Sequence, residues 1–428
     1  MHPLRRWWHD SAGGLPATFW YLWAGLLINR AGAFAMLFLP LYLAEARGAS
    51  TALAGAVVGA YGAGGAAGVL LGGVLADRWG RRATLLAAHL ATAGLMVGLA
   101  FSRQLAAIAA LAALVGVVHS MPSPAFVAAI VDVVPEHRRS CAFNLQFWAF
   151  NLGMAVASLL AGLLAEASFL ALFLVDAAAT LTAAAVIGWK VPETLSRARS
   201  AQSPDGHRTA WTGGARRPRR PGLHTALTDR TFLVFVGLTF VLAVLTMQTS
   251  TIMPLAMRAD GLGPSAYGTV VALGGTLIVL GQLFVPRLVD RHRKGVVLAA
   301  STTLLALGFG ALAFAGTLPA YLAAAVVWTV GSMLAAPPNA QINADLAPPE
   351  LRARYQSVFY LAFPAASFVA PALGGLSLQY LGDRHWLIVG ALGLLAAGGH
   401  LLAGPPRERH VATLRQPKNP LPTPASPR

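Results

Sequence analysis

The sequence contains twelve long stretches made almost entirely of apolar residues. A helix needs about 20 mostly apolar residues to cross the hydrocarbon core of a bilayer, and each stretch is close to that length. Apolar residues make up 56% of the chain and charged residues only 11%, so a soluble fold would expose far too much apolar surface. The stretches lack the alternation of a membrane β-barrel. We therefore predict an all-α membrane protein with twelve transmembrane helices over residues 17–43, 51–75, 83–101, 105–130, 143–165, 168–189, 231–256, 266–288, 295–316, 319–344, 355–380 and 385–403.

The basic residues are distributed unevenly between the two sides of the predicted membrane. Lys and Arg number 32 against 16 Asp and Glu, which gives a net charge of +16. Of these 32 basic residues, Arg30 lies inside helix 1, and four lie in loops on one side of the membrane, namely Arg47, Arg103, Arg258 and Arg384. The other 27 lie on the side of both termini. Basic loops are retained in the cytoplasm, so we predict an inner (plasma) membrane protein with both termini cytoplasmic. The basic run at residues 216–220 is interpreted as a contact with lipid head groups and not with nucleic acid.

The sequence contains no pattern typical of a catalytic or cofactor site. Cys141 is the only cysteine, which excludes an intramolecular disulfide and a cysteine-based metal site. The glycine-rich run from Gly62 to Gly68 lies within a predicted helix and follows no strand, so it indicates close helix packing and not a nucleotide site. We therefore predict that the protein is not an enzyme and binds no metal or cofactor.

The chain repeats itself weakly at a constant offset of 213 residues, which we call the repeat offset. A repeat of this kind indicates a duplicated six-helix unit. The pairs that share this repeat offset are Asp77 and Asp290, Pro124 and Pro337, Asp132 and Asp345, and Gly162 and Gly375. Parallel repeats of this kind place a substrate cavity near the membrane midplane, between the halves. The predicted domains are a cytoplasmic N-terminal segment (1–16), two pseudo-symmetric six-helix bundles (17–191 and 229–404), a cytoplasmic linker rich in Pro, Gly, Ser, Thr and Arg (192–228), and a cytoplasmic tail (405–428).

The segment after helix 2 reads GGVLADRWGRR, from Gly72 to Arg82. It resembles the signature G-x-L-x-D-R-x-G-R-R/K of the major facilitator superfamily, and the phrase VPET at residues 191–194 is also similar to that family. The resemblance covers residues 17–404 and implies transport of a small molecule by alternating access. In the family this loop gates the inward-facing side, which implies a gating role here for Gly73, Asp77, Arg78, Gly80, Arg81 and Arg82. The alternative is an ion pair that only rigidifies the loop.

Three departures from phrases of this family concern proton coupling. Family members often carry an arginine four residues before a glycine of helix 4, whereas Ala112 precedes Gly116 here. The antiporter phrase of helix 5 is degraded between Gly153 and Gly162, and a closer version lies in helix 11. Ser332 stands where some proton-linked drug exporters have a glutamate. The chain still looks most like the proton-linked drug-exporter branch, because its expected cavity is mostly apolar with few charges.

Two ionisable residues lie deep inside predicted helices, where a charge costs about 2.5–3.5 kcal/mol. Arg30 lies in the middle of helix 1, and Asp176 lies within helix 6. We predict that Asp176 and Arg30 take part in proton coupling, since a buried carboxyl group can change its protonation state near neutral pH. Arg30 is alternatively an anchor for an anionic group of the substrate. The structural alternatives are that Arg30 only binds backbone carbonyls or Asp176, and that Asp176 only donates a hydrogen bond in helix packing.

Helices 1, 4, 7 and 10 line the cavity in this family, and their polar and aromatic residues are our candidates for substrate contact: Asn29, Arg30, Phe34, His119, Gln248, Trp328 and Asn339. The alternative for the amides is hydrogen bonding between helices. We predict proton-coupled efflux of amphipathic drugs or metabolites. The alternatives are proton-linked uptake or export of one small anionic metabolite, and a membrane sensor or assembly factor on the same fold. The expected partners are a small-molecule substrate, protons and the lipid bilayer, with the protein as a monomer.

Overall fold

The computed structural model describes residues 14–33, 35–194, 224–281, 284–289, 292–348 and 351–415, and these residues form helices and turns without strands. Twelve helical spans in this part of the chain are long and apolar enough to cross a membrane, which confirms the predicted all-α fold. We number the spans 1 to 12 in chain order: Ala17–Glu45, Thr51–Arg78, Arg81–Phe101, Leu105–Val133, Glu136–Ala167, Phe169–Lys190, Arg230–Thr251, Pro264–Gly281, Lys294–Phe314, Leu318–Leu346, Tyr355–Leu381 and Arg384–Leu402.

Some spans consist of two helices, and shorter helices lie between or after the spans. We call Gly404–Arg415, which follows span 12, the terminal helix. The other helices whose bounds differ from those of the spans are Ala17–Ala31 and Ala35–Glu45 in span 1, Leu105–Ser120 and Pro122–Val133 in span 4, Glu136–Arg138 (3₁₀) and Arg139–Ala167 in span 5, Lys294–Ala311 and Leu312–Phe314 (3₁₀) in span 9, Arg352–Leu381 around span 11, and the separate His224–Thr228, Met253–Ala259 and Val285–Val289.

Span 1 is interrupted after Ala31, within the stretch predicted as one helix over residues 17–43. The N–H of Gly32 ends the first helix by donating to the carbonyl of Ile28 at 3.1 Å. The second helix begins at Ala35, and the N–H of this residue donates to Oδ2 of Asp176 in span 6 at 3.1 Å. A side-chain oxygen thus replaces the carbonyl that a continuous helix would supply. The interruption therefore depends on the packing of span 6 against span 1.

Prolines mark two further interruptions. Pro122 is the first residue of the second helix in span 4, where its missing N–H costs no intrahelical hydrogen bond. Pro254 lies in the first turn of the short helix after span 7, and the helix predicted over residues 231–256 ends at Thr251. Both prolines start a new helix because a proline fits the first turn better than a helix interior.

Loops after even-numbered spans meet on one face of the molecule, which we call the basic face. Contacts there join the loops after spans 2, 4 and 6 through Arg81, Asp132 and Thr194, and those after spans 8 and 12 through Arg293 and Glu408. Loops after odd-numbered spans lie on the opposite face. Residues 195–223 of the predicted linker lie outside the described residues.

Large apolar side chains cover the outer surface of the helices. Examples with high exposure are Leu70, Leu163, Trp189, Phe314 and Leu402. In water such a surface would be costly, whereas in a bilayer it contacts lipid tails. Polar groups in the interior therefore stand out as candidates for function.

Candidate functional site

Two pairs of glycines bring the halves into close contact near the opposite face. Gly162 of span 5 lies against Gly268 of span 8, so that a Cβ added to Gly268 would lie 3.2 Å from the Cα of Gly162. Gly55 of span 2 lies against Gly375 of span 11, and a Cβ added to Gly55 would lie 3.0 Å from the Cα of Gly375. Small residues let helix backbones approach this closely. We call these two contacts the glycine seam.

Polar contacts join the two halves at the same end of the molecule. They are the ion pair between Arg258 Nε and Glu45 Oε1 (3.7 Å), the hydrogen bond from the Ala52 N–H to Gln379 Oε1 (2.9 Å), and the hydrogen bonds from the N–H and hydroxyl of Ser265 to Glu166 Oε1. Together with the glycine seam, they close the interface between the halves at the opposite face.

A central cavity of about 400 Å³ lies behind this closure and is lined by both halves. Its polar side chains include Arg30, Tyr61, His119, Ser250, Thr251 and Ser367. Met36, Met154 and Met247 contribute apolar wall. Because methionine adapts to ligands of different shape, this cavity can hold a small amphipathic molecule between the halves.

A second cavity of about 330 Å³ lies within the first half, nearer the basic face. Arg30 and His119 line both cavities, so the two meet at these side chains. Aromatic rings from spans 4 and 5 form much of its wall, namely Phe126, Phe143, Phe147 and Phe150. The second cavity therefore combines an aromatic wall with a cationic end.

Arg30 is enclosed where the two cavities meet. Its Cζ lies 4.8 Å from the ring centre of Phe150, and its Nε is buried with no hydrogen-bond partner among the described residues. On the same wall, the hydroxyl of Tyr61 and Nδ1 of His119 lie 3.0 Å apart. The described residues that line the two cavities include no carboxylate. A buried guanidinium in such a wall can hold an anionic group, since an opposite charge offsets its desolvation.

Asp176 is almost fully buried and lies behind Arg30, at the interruption of span 1. Its Oδ2 accepts the Ala35 N–H, and its Oδ1 accepts the hydroxyl of Thr180 at 3.4 Å. The Thr180 oxygen in turn accepts a hydrogen bond from Nδ2 of Asn29 at 3.2 Å, and Asn29 lines the second cavity. This chain of contacts connects the carboxylate of Asp176 to the cavity wall.

The polar candidates of the second half lie apart from Arg30. Asn339 lines a third cavity of about 500 Å³, and its Oδ1 accepts the hydroxyl of Thr239 at 3.1 Å. Gln248 is buried, and its Oε1 has no hydrogen-bond partner among the described residues. Trp328 stacks on Phe309 with 5.0 Å between ring centres. Gln248 and Trp328 therefore lie in the packing of the second half, outside the walls of the three cavities.

At the basic face, Arg81 connects the loop after span 2 to the end of span 4. Its Nε donates to Asp132 Oδ2 at 3.1 Å, and its Nη1 lies 3.3 Å from Asp77 Oδ1. The side chains of Arg81 and Asp132 are each 11% exposed, whereas that of Asp77 is 76% exposed. The hydroxyl of Thr194 donates to the same Asp132 oxygen at 3.0 Å. Because water and salt screen exposed charges, the pair with Asp132 is the stronger of the two.

The carboxylate of Glu193 caps the N-terminus of span 3. It accepts the N–H of Arg81 at 2.9 Å and the N–H of Arg82 at 3.2 Å. Gly80 precedes this helix with a φ of 109°, and a Cβ at this position would collide with the Glu193 carboxylate. A negative charge at a helix N-terminus is stabilised by the helix dipole. Gly80 of the motif and Glu193 of VPET therefore both belong to the cap of span 3.

The family model described as Major Facilitator Superfamily matches residues 22–258 and 238–427 of the chain. The chain belongs to the major facilitator superfamily. It is a multi-pass membrane protein with twelve candidate membrane spans in the described part of the chain.

Relatives of this superfamily member include bacterial transporters. It is 28% identical over 387 residues to the uncharacterized MFS-type transporter YttB of Bacillus subtilis (strain 168), over 89% of this chain and 93% of that protein. It is 25% identical to a Na⁺, Li⁺, K⁺/H⁺ antiporter of Planococcus maritimus, over 76% of this chain and 82% of that protein. It is 22% identical to the multidrug resistance protein MdtH of Klebsiella pneumoniae subsp. pneumoniae, over 76% of this chain and 79% of that protein.

Solved structures of transporters share the fold of this superfamily member. A POT family transporter in complex with a thioalcohol-conjugated peptide superposes with a TM-score of 0.75 at 13% sequence identity, over 93% of this chain and 98% of that chain. At this identity the likeness concerns the fold alone.

The structure brings together three of the residues predicted to contact the substrate. Asn29, Arg30 and His119 all line the second cavity. Asp176, predicted for proton coupling, adjoins this group through Asn29 and the Ala35 N–H. Phe34 lies outside the described residues. A substrate role for any of these residues stays a prediction.

The remaining residues of the predicted gating loop are placed around Arg81. Gly73 and Arg78 lie in the last turns of span 2, and a Cβ added to Gly73 would meet nothing within 4 Å. Arg82 donates from Nη2 to the carbonyl of Gly188 in span 6. The loop is thus tied to spans 4 and 6 of its own half.

Two acidic neighbours of this loop become evident only in the structure. In the sequence, Glu193 is visible only as part of VPET and Asp132 only as one member of a repeated pair. The repeat offset leads from Arg81 and Asp132 to Lys294 and Asp345, whose Nζ and Oδ2 atoms lie 2.8 Å apart. The repeat already relates Asp132 to Asp345, and applying its offset to Arg81 also gives Lys294. A cation and an acid that recur together in both halves are the signal in the sequence for these two ion pairs.

Proposed function

We propose that this transporter exports amphipathic small molecules by alternating access in exchange for protons. The observation that carries the proposal is the central cavity, which both halves line and which the glycine seam separates from the opposite face. Rocking of one half against the other would open that seam and expose the cavity to the opposite face. Similarity to a protein named for multidrug resistance supports drug export, and similarity to a cation/H⁺ antiporter supports exchange for protons.

We place this protein in the plasma membrane with its basic face on the cytoplasmic side, because basic loops are retained on that side. Both termini then lie in the cytoplasm, as does the linker at residues 192–228. On this arrangement, residues 17–191 and 229–404 form the two moving halves. The described conformation is closed on the extracellular side, and a substrate enters its cavity from the cytoplasm.

A substrate with an anionic group is favoured by the environment of Arg30. The guanidinium lines both cavities, and the acid whose charge interacts with it, Asp176, lies behind it and outside the described lining of both. A cationic drug would therefore meet a like charge, whereas an organic anion would offset the desolvation of Arg30. The phenylalanines of the second cavity, Phe147 and Phe150 among them, suit the apolar part of such a molecule.

Protons are proposed to act through Asp176. An ionised carboxylate caps the helix that begins at Ala35 more strongly than a neutral carboxyl group does. This helix carries Phe38, whose ring packs against Tyr267 of span 8 at 5.1 Å, and it ends at Glu45 in the ion pair with the second half. Protonation of Asp176 would therefore loosen a helix that holds the opposite face closed.

The gating role of the Asp77 loop is likewise a proposal. Arg81 ties this loop to span 4, and Asp77 is largely exposed on the basic face. When the basic face closes, the second half would approach the largely exposed carboxylate of Asp77, whose contact with Arg81 at 3.3 Å is screened by solvent.

Binding to the purified full chain tests the proposed substrate class. Dansylglycine, dansylamide and dansylcadaverine share one fluorophore and carry a negative, no and a positive charge, respectively. We expect dansylglycine to bind best, and we expect Arg30→Gln to weaken its binding about tenfold or more, the loss of one charge-assisted contact. Arg30→Lys should keep part of the affinity.

The matched control is Arg103→Gln, which removes an exposed arginine on the opposite face. This variant should bind dansylglycine like the wild type. Equal binding of the cation and the anion, or unchanged binding in Arg30→Gln, would show that Arg30 does not select an anionic substrate.

A further inference from the structure

The N-terminus of span 9 differs from its counterpart in the first half. In span 3, the Glu193 carboxylate accepts the N–H groups of Arg81 and Arg82. The repeat offset places Lys294 and Gly295 at the same two positions of span 9. Both helices therefore present two N–H groups at the basic face, beside an ion pair to the next span.

No carboxylate takes the place of Glu193 in the second half, as far as the described residues show. The offset leads from Glu193 to Pro406, which has no acceptor in its side chain. The residue before span 9, Arg293, does not cap it with its side chain either. The first N–H groups of a helix attract anions, and here they meet no carboxylate among these residues.

A cavity of about 730 Å³ occupies this position between span 9 and the terminal helix. Lys294 and Gly295 line it from span 9, and Arg407, Glu408 and Val411 line it from the terminal helix. The cavity thus lies at the basic face, where the end of the membrane-spanning region meets water.

Arg407 supplies a buried guanidinium at this cavity. The residue is 4% exposed; its Nε donates to the carbonyl of Ala403 at 3.1 Å and its Nη2 to that of His400 at 2.9 Å. Its Nη1 is buried and has no hydrogen-bond partner in the described part of the chain. A Cβ added to Gly295 would lie 3.2 Å from Nη2, so the guanidinium lies directly against the start of span 9. Burial lowers the pKa of Arg407, and a bound anion would oppose that shift.

The charged side chains around the cavity leave a surplus of positive charge. Its two acids each face a cation: Asp345 Oδ2 lies 2.8 Å from Lys294 Nζ, and Glu408 Oε2 lies 2.6 Å from Arg293 Nη2. Arg407 adds a third cation to these two pairs. The surplus charge and the helix N-terminus therefore favour the same kind of ligand, a compact anion.

We propose that this cavity binds an anionic phosphate group, which takes the place that the Glu193 carboxylate holds in the first half. Phosphate oxygens accept hydrogen bonds both from helix N-terminal N–H groups and from a guanidinium. Ile342 and Val411 add apolar wall beside the charged end. This combination suits the head group of an anionic phospholipid in the cytoplasmic leaflet, and a soluble phosphate carries the same chemistry. The inference does not depend on the transported substrate.

Native mass spectrometry of the full chain tests the site. The protein is taken from nanodiscs of phosphatidylcholine with or without phosphatidylglycerol, and the retained lipid is counted. We expect the wild type to retain phosphatidylglycerol in preference to phosphatidylcholine. Arg407→Gln and Lys294→Gln should each weaken retention about fivefold to tenfold, since each removes one charge at the site. Arg409→Gln removes an exposed charge from the same helix outside the cavity and should retain lipid like the wild type.

A second measurement distinguishes the two sources of phosphate. Thermal unfolding in detergent is recorded with inorganic phosphate or with chloride at equal ionic strength. Stabilisation by phosphate in the wild type but not in Arg407→Gln or Lys294→Gln, without retention of phosphatidylglycerol, supports the site with a soluble ligand. The proposal is overturned if neither ligand prefers the wild type to both variants, or if Arg409→Gln loses binding as they do. Lys294→Gln keeps the test valid if Arg407→Gln fails to fold.

Discussion

Gly162 of the first half contacts Gly268 of the second half, and the internal repeat relates this contact to a second, equivalent one. The repeat offset leads from Gly162 to Gly375 and from Gly268 back to Gly55, and those two glycines form the other contact of the seam. A duplicated unit has thus produced two equivalent contacts, one on each side of the central cavity. Both must separate when the opposite face opens, so both are suited to regulate the same movement.

Gly268→Ala is expected to keep the opposite face from closing. The new Cβ would lie 3.2 Å from the Cα of Gly162 and in collision with the carbonyl of Ser158. Such overpacking costs about 1–3 kcal/mol and would fall on the closed conformation. Flux in proteoliposomes should drop at least about fivefold, as expected for a bias of about 1 kcal/mol or more. Gly237→Ala is the control, because a Cβ there would meet nothing within 4 Å. Equal flux in the two variants would contradict a role for the seam.

Asp132→Asn and Asp77→Asn should separate stability from gating. Asp132 is nearly buried and bonds both Arg81 and Thr194, so its neutralisation should lower the free energy of unfolding by about 1–3 kcal/mol. Asp77 is 76% exposed, and its loss should change that free energy by under about 1 kcal/mol while transport falls. Thermal unfolding and flux are measured at matched expression in the membrane. Normal transport by Asp77→Asn would contradict the proposed gating role of Asp77.

Glu193→Gln should destabilise the first half by about 0.5–2 kcal/mol, the usual effect of losing a charged helix cap. The glutamine keeps the size of the side chain but removes the charge that faces the N–H groups of Arg81 and Arg82. Glu136→Gln is the control, because Glu136 is an exposed acid in the 3₁₀ turn that begins span 5. Thermal unfolding of both variants decides the matter, and equal midpoints would argue against the cap.

Asp176→Asn should uncouple transport from protons while leaving binding intact. The amide can still accept the N–H of Ala35, but it no longer gains or loses a proton. We expect dansylglycine to bind with unchanged affinity and its accumulation under a pH gradient to be lost. Gradient-driven accumulation at the wild-type level in this variant would exclude Asp176 as the coupling group.

The sequence was sufficient to predict the number and placement of the spans, because length and hydrophobicity alone define them. It also pointed to Arg30, since a charge inside a long apolar stretch is conspicuous. The capping of Ala35 by Asp176 could not be predicted, because it joins residues 141 positions apart through helix packing. Trp328 shows that residue type alone does not predict where a side chain points. An aromatic residue in span 10 indicates a cavity residue, but helix packing stacks the Trp328 ring on Phe309.

Accumulation of dansylglycine in proteoliposomes with an acidic lumen tests proton-driven export through the Arg30 cavity most directly. The wild type and Arg103→Gln should accumulate the anion and lose it when nigericin collapses the gradient. Arg30→Gln, reconstituted in equal amount, should not accumulate it. Accumulation that is independent of the gradient, or equal in Arg30→Gln and the wild type, would contradict this mechanism.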